Sequence, residues 1–439
     1  MRAVSRKAAA TCGAVLGMLA ASVPAAELSY GIDVGAGYDD NITRVSGNEQ
    51  DDTILAVGGD LHLDHESARM EASIASRLEY RDYLDDSFAS EVVGNFIAES
   101  KFDIVEERFA WLLSDTFGQS SRDQLSADTP ANRESVNFFS TGPDLELPFG
   151  SRNTFVVRGL YSNYSYEDSE LGNDRVNGEL ALQRELSTAS ILSLNATTEK
   201  VSFDNQDLYS DFDRNEGFLA YVVDAARTQM SLQGGVTETR SAGETNDDWL
   251  GRFKMTRQAS SALKVGVELG HEFSDAGSSF VQMQEQQPGS MDPVSVQQTA
   301  APFLNEYVEV FSQFMRNRTG MDLRAGVYDE TYEGVPQLDR KRLKLELNLQ
   351  RSLSPTLTAR ASANYSSYDY SEISRKFSEL EATMGLSWLL GRVTSLSIDY
   401  TFSDRNDDDS SDEYRANEVW LRFGYQVGQG ASGGASSGL

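Results

Sequence analysis

The feature that most constrains this chain is an alternation of apolar and polar residues that recurs from one end to the other. Leu28, Tyr30, Ile32, Val34, Ala36 and Tyr38 alternate with Ser29, Gly31, Asp33, Gly35 and Gly37. Leu263, Val265, Val267 and Leu269 alternate with Lys264, Gly266, Glu268 and Gly270, and Leu343, Leu345, Leu347 and Leu349 with Lys344, Glu346 and Asn348. Successive side chains of a strand point to opposite faces, so each segment has one apolar and one polar face. No apolar run of about 18 residues follows the N-terminal region, so a spanning helix is not expected.

The spacing between segments alternates as well. Tight turns are expected near Glu66, Glu106, Gly150, Thr188, Arg227, Ser260, Arg318, Ser354 and Gly391, separated by longer polar stretches at 39–52, 119–134, 204–212, 275–302 and 404–413. Short turns on one side and long loops on the other are the signature of an outer-membrane barrel. The expected fold is therefore all-β: a transmembrane antiparallel up-and-down barrel of roughly 18 to 20 strands, with both ends on the short-turn side. A soluble sandwich or propeller would also alternate, but it needs neither such long strands nor aromatics where strands meet long loops. Tyr38, Tyr83, Tyr164, Tyr332, Tyr368 and Tyr414 are among those aromatics and read as an outer girdle.

Arg2, Arg6 and Lys7 precede an apolar run from Ala8 to Ala21, and Val23-Pro24-Ala25 supplies small residues for a peptidase. Residues 1–25 read as a cleaved signal peptide, 26–427 as the barrel and 428–439 as a flexible Gly/Ser-rich tail. The sole cysteine, Cys12, lies inside the signal, so the mature chain has neither disulfide nor thiolate site. This places the protein in the outer membrane of a Gram-negative bacterium, among lipids and lipopolysaccharide and inserted by the barrel-assembly machinery.

The whole chain has 38 basic and 68 acidic residues, a net charge of −30. Without the three basic residues of the signal, 35 remain against 68, or −33. Phosphate backbones would be repelled, so nucleic acid is excluded as a partner. With the polar faces turned inward the lumen is near charge balance, which leaves the excess acid to the loops. Arg252, Lys254, Lys264, Arg324, Arg342, Lys344 and Arg360 are the basic candidates for the lumen lining. A ladder of cations on adjacent strands could guide an anionic sugar polymer; equally, Glu268 and Glu346 could pair with them and merely satisfy the wall. Asp407, Asp408, Asp409, Asp412 and Glu413 form a candidate cation-binding loop for a divalent ion, although no calcium-loop spacing is present. No other cofactor and no resident metal are expected.

Residues 275–302 form the longest unpatterned segment, with Pro288, Pro293 and Pro302 blocking a continuous strand. That segment and 119–134 are the candidates to plug the pore, and the sequence leaves constriction, lid and external loop open. For catalysis only His271 with Ser274 or Ser278 is worth naming, and no enzyme is expected.

Two stretches carry a resemblance: YGIDVGAGYDDNITR, from Tyr30 to Arg44, and NFFSTGPDLELPFGSRNTFVVRG, from Asn137 to Gly159. The chain resembles the beta-barrel porin 2 type of outer-membrane barrel, associated with exopolysaccharide loci. The resemblance implies a conduit in exopolysaccharide export with periplasmic export machinery as partner. Beside it stand a general diffusion porin for small solutes and a non-conducting surface-interaction barrel with acidic, cation-binding loops.

Overall fold

A computed structural model describes residues 26–409 and 412–428; the expected signal peptide and most of the expected tail lie outside them. Twenty strands form one sheet. The first ten are β1 (Ala26–Asp39), β2 (Asp52–Glu66), β3 (Met70–Tyr83), β4 (Glu91–Val105), β5 (Phe109–Ser121), β6 (Arg133–Phe149), β7 (Asn153–Tyr166), β8 (Asn173–Ser187), β9 (Ser190–Phe203) and β10 (Phe212–Ala225). The others are β11 (Thr228–Ser241), β12 (Glu244–Ser260), β13 (Leu263–Ser274), β14 (Phe303–Arg316), β15 (Thr319–Tyr332), β16 (Arg340–Ser352), β17 (Leu357–Tyr370), β18 (Arg375–Leu389), β19 (Thr394–Asp407) and β20 (Tyr414–Val427).

Each strand pairs antiparallel with its sequence neighbours, and β1 pairs with both β2 and β20, from Tyr30 opposite Val427 to Asp39 opposite Glu418. The sheet thus closes on itself and leaves no open edge, which is the condition for a sheet to cross hydrocarbon. The strand count stands at the upper end of the expected range, and all nine expected tight turns fall between an even-numbered strand and the odd one after it.

The core of this molecule is inside out. Ile32, Val236 and Met384 are 63%, 65% and 67% exposed, on a belt of outward apolar side chains that runs round the ring. At about 25 cal/mol per Å² such a belt would be strongly unfavourable in water and is stable only against lipid. Outward aromatics mark both edges of it: Tyr38, Tyr80, Tyr161 and Trp249 towards the long-loop ends, Tyr30, Trp111, Trp388 and Tyr425 towards the short turns.

The girdle expected from the sequence is corrected here. Tyr83, Tyr164, Tyr332, Tyr368 and Tyr414 are buried, not headgroup-facing. They occupy inward positions: Tyr164 pairs across from Phe138, and Tyr368 stands between Arg342 and Phe377. Period two fixes which residues share a face but not which face is outside, and at strand tops both faces carry rings.

Candidate functional site

The segment 275–302 turns into the barrel. Asp275 is the N-cap of helix α1 (Ala276–Gln286): its Oδ1 accepts from the Ser278 N–H at 3.1 Å and its Oδ2 from the Ser278 hydroxyl at 2.7 Å. Ala276, Phe280 and Gln284, four residues apart, form the buried face of α1. Ala276 and Phe280 pack with Val294 and Val296 against Val136 of β6. Gly277 lets the helix start lie tight on the wall, since a Cβ there would meet Arg175 at 2.5 Å. This helix was not foreseen, because its apolar residues, Ala276, Phe280, Val281 and Met283, span only two turns within a polar segment.

Beyond the helix the segment is tied to the far wall. Asn95 of β4 donates to the Gln284 amide oxygen at 3.1 Å and to the Gln287 carbonyl at 2.9 Å, and accepts from the Gly289 N–H at 2.8 Å. The Val294 N–H donates to the Gln119 carbonyl at 2.9 Å, giving a parallel bridge between Val294 and Ser120. Because strands pair in sequence order, a segment that leaves between β13 and β14 and docks on β4 and β5 has crossed the lumen.

The loop between β5 and β6 crosses in the opposite sense. Its tip is held by three arginines from distant strands: Arg375 donates to the Leu125 carbonyl at 3.0 Å, Arg405 to the Ser126 carbonyl at 3.2 Å, and Arg340 to the Gln124 side chain. Leu125 packs beside Tyr368, Tyr370 and Phe377. Guanidinium donors satisfy carbonyls that would otherwise stand unpaired in a closed lumen.

The entry to the larger plug is an ionic latch. Arg175 lies 2.7 Å from Asp275 and 3.5 Å from Glu199, while Arg214 lies 2.5 Å from Glu199 and 3.6 Å from Asp275. Two cations and two carboxylates balance, and Tyr164 covers Arg175 at 4.3 Å. Burial alone would raise the Asp275 carboxyl, but Arg175 and then Arg214, with hydrogen bonds from Arg175 and Ser278, bring it below its ordinary 3.8. A depressed carboxyl stabilises fully above its ordinary value and is lost only as pH falls through the lower, folded one. The latch should therefore hold from neutral pH down to about pH 4. Planar-bilayer recordings across that range should show no acid-induced opening; an opening near pH 5 would show that another group controls the plug.

The seven basic candidates gather on one stretch of lumen wall, from β12 to β17, and most are neutralised there. Arg252 pairs with Glu216 at 2.9 Å and also with Glu272, and Lys254 with Glu268 at 2.8 Å. Arg324 pairs with Glu309 and Glu346, Lys344 with Glu346 at 2.6 Å, Arg342 with Glu330 at 3.8 Å, and Arg360 with Asp399 at 2.5 Å. Lys264, across from Gln258 and Gln313, makes no ion pair among the described residues. Of the two arrangements left open by the sequence, the wall has the paired one.

Among the described residues the five acidic candidates do not gather into a cation site; they are taken up by basic and backbone partners. Asp407 is held by Arg375 at 3.0 Å and Arg405 at 2.8 Å, Asp412 also by Arg375, and Asp408 accepts the Lys376 N–H at 3.2 Å. Asp409 has a partner of its own, and Glu413 is half-buried beside them. His271 and the two serines do not meet either. His271 faces outward, with its Nδ1 2.9 Å from Glu306, whereas Ser274 takes the inward alternation and Ser278 caps α1. Sequence reasoning missed the latch residues Arg175, Arg214, Asn95, Arg340, Arg375 and Arg405. The one available signal was the Asp275-x-x-Ser278 cap ahead of a polar run.

Fold and site together define a porin-like outer-membrane β-barrel whose lumen is crossed by two of its own loops. Residues 317–427 match the family described as "Putative beta-barrel porin 2", in agreement with the resemblance read from the sequence, although the match covers β15 to β20 and not the two stretches that suggested it. No curated protein matches the chain. Among solved structures the chain is similar to a mutant of the ferric enterobactin receptor PfeA of Pseudomonas aeruginosa, at 8% identity and a TM-score of 0.48 over 92% of this chain and 81% of that one. It is also similar to the FrpB iron transporter of Neisseria meningitidis, F5-1 variant, at 8% identity and 0.47 over 91% and 82%. For the siderophore receptor PirA of Pseudomonas aeruginosa the values are 10% and 0.42 over 92% and 81%.

Proposed function

We propose that this barrel is a gated conduit for hydrophilic material, acting in exopolysaccharide export across the outer membrane with periplasmic export machinery as its partner. The observation that carries the reading is the pair of loops that cross the lumen and are held there by side-chain latches. A general diffusion porin for small solutes needs a standing opening, and a barrel used only as a surface anchor needs no elaborate internal closure. The paired wall suits a polymer that must slide without sticking, because no free cation ladder grips it. The acidic loop clusters keep the mouth hydrated and take up divalent cations diffusely, in the manner of a charged rim.

The test is a deletion strain: polymer should be retained on the periplasmic side while small-solute uptake stays unchanged. Normal polymer release with impaired small-solute uptake would move the assignment to a diffusion porin. In bilayers, the unplugged pore should be weakly selective at high salt and cation-preferring at low salt, where screening no longer hides the acidic mouth. Strong anion selectivity at every salt concentration would contradict the charge-balanced wall.

A further inference from the structure

The outer wall, which should be smoothly convex, is hollowed across β11 to β17. The hollow has a volume of about 1140 Å³. Its floor begins where two outward glycines, Gly234 and Gly251, stand side by side, and it continues over Leu269, Val308, Val327 and Leu343. From Gly251 a single register row climbs to the long-loop edge: His271, Glu306, Asp329, Lys341 and Asp369, each paired with the next across one strand. The hollow therefore runs from the middle of the hydrocarbon to the headgroup level, apolar below and charged above.

The upper end has features that wall packing does not use. Trp249 is 57% exposed and stacks on the His271 ring at 3.8 Å and 7°. His271 itself is 8% exposed, and its Nε2 is buried without a hydrogen bond, 3.2 Å from Asp248 in a poor geometry. Lys341, with its side chain 67% exposed, holds Asp329 at 2.9 Å, and Lys376 holds Asp369 at 2.7 Å. An unpaired buried ring nitrogen and a row of charges at the lipid headgroup level ask for a polar partner.

We infer that this hollow is a binding site for a phosphate-bearing, multi-chain glycolipid of the outer leaflet, of the lipopolysaccharide type. A lipid suits the shape better than a second copy, because flexible acyl chains fill a hollow that a convex barrel wall would span. Seven strands at about 4.8 Å spacing give a width of roughly 29 Å, room for several acyl chains abreast. The charge row sets the head chemistry: the exposed Lys341 ammonium offers donors to phosphate oxygens. Glu306, Asp329 and Asp369 would repel a bare phosphate, so the lipid binds with a divalent cation carried on its own phosphates, which screens them. Trp249 lies along the apolar–polar boundary of the bound lipid.

The experiment is binding of bisphosphorylated lipid A to the refolded mature protein in detergent, read by native mass spectrometry with calcium and again with EDTA. Dipalmitoyl phosphatidylethanolamine serves as a comparison probe. Wild-type protein should retain lipid A in calcium, lose it in EDTA and bind the two-chain lipid at least tenfold less well. Gly234→Phe should fill the floor, since a Cβ there meets nothing within 4 Å. Lys341→Glu should reverse the rim. Each should weaken lipid A binding tenfold or more while the heat-modifiable mobility of the folded barrel is kept. Equal binding of both lipids, indifference to EDTA, unchanged binding in both variants or a lipid-free dimer would each overturn the assignment. None of these outcomes bears on whether the lumen conducts polymer, so this inference and the conduit reading fail separately.

Discussion

Mature protein in which residues 276–301 are replaced by a short glycine linker should conduct, whereas the intact protein stays nearly silent. The expected rise is at least about tenfold, because a barrel of this strand number encloses a water-filled channel and the deletion removes the larger of the two segments that cross it, leaving only the β5–β6 loop. Keeping Asp275 matters. Arg175 is buried and Arg214 half-buried, and removing their shared carboxylate would leave uncompensated charge at a cost of roughly 3–5 kcal/mol. The shortened loop then loses α1, the Asn95 contacts and the bridge to Ser120, but not the ionic cluster on the wall. Single-channel recording in a planar bilayer decides the matter. Silence in both forms, with heat-modifiable mobility proving the fold, would defeat the gated-conduit reading and favour the surface-interaction barrel. A large open pore in both would favour a general porin. The conducting form is also the one in which sugar polymers should be tested as blockers.

How much of this was legible beforehand depends on range. Alternation is a local property, so Leu343 to Leu349 against Lys344 to Asn348 announced an amphipathic strand before any neighbour was known. Turn rhythm gave the up-and-down order, and long apolar-faced strands gave the membrane. The plug segments could be picked out as the two stretches too long and too unpatterned for a simple connection, but their direction could not. Whether 275–302 points in or out is decided by Asn95, Gln119 and Arg175, which lie 100 residues or more away in the chain. The aromatic girdle failed for a related reason: Tyr332 and Tyr368 carry the same residue type at the same height as true headgroup anchors, and only the phase of the pleat separates them. The lumen cations were placed on the right face, yet their neutralisation depends on cross-strand partners such as Glu309 for Arg324 and Asp399 for Arg360, which no single strand contains. The hollow on the outer wall arises from glycines of two strands meeting, and a sequence shows only one strand at a time.

Arg405→Met should release the second loop without opening the barrel. Arg405 is fully buried. It donates to Glu379 at 2.9 Å and to Asp407 at 2.8 Å, lies over the Phe377 ring at 4.0 Å, and holds the carbonyls of Leu125 and Ser126. Methionine keeps most of the stem volume, so what is lost is charge and donors. Asp407 still has Arg375, but Glu379 is left unpaired beside an apolar thioether. Glu379 is a third exposed and costs less, but the Arg405–Asp407 pair is fully buried, and breaking a buried pair on one side costs roughly 3–5 kcal/mol, far more than a surface pair. That cost falls mainly on the docking of the loop, since twenty strands of backbone hydrogen bonds hold the wall independently. Amide exchange over residues 123–129 should accelerate about a hundredfold, the equivalent of roughly 3 kcal/mol, while the exchange of β4 and β6 stays slow. Adding Glu379→Gln should recover part of the loss, because the stranded carboxylate is then neutral; a purely steric effect would show no such recovery. Unchanged exchange at the tip in the single variant would mean that Leu125, seated by Tyr368 and Phe377, docks the loop on its own and that the arginine contacts only follow it.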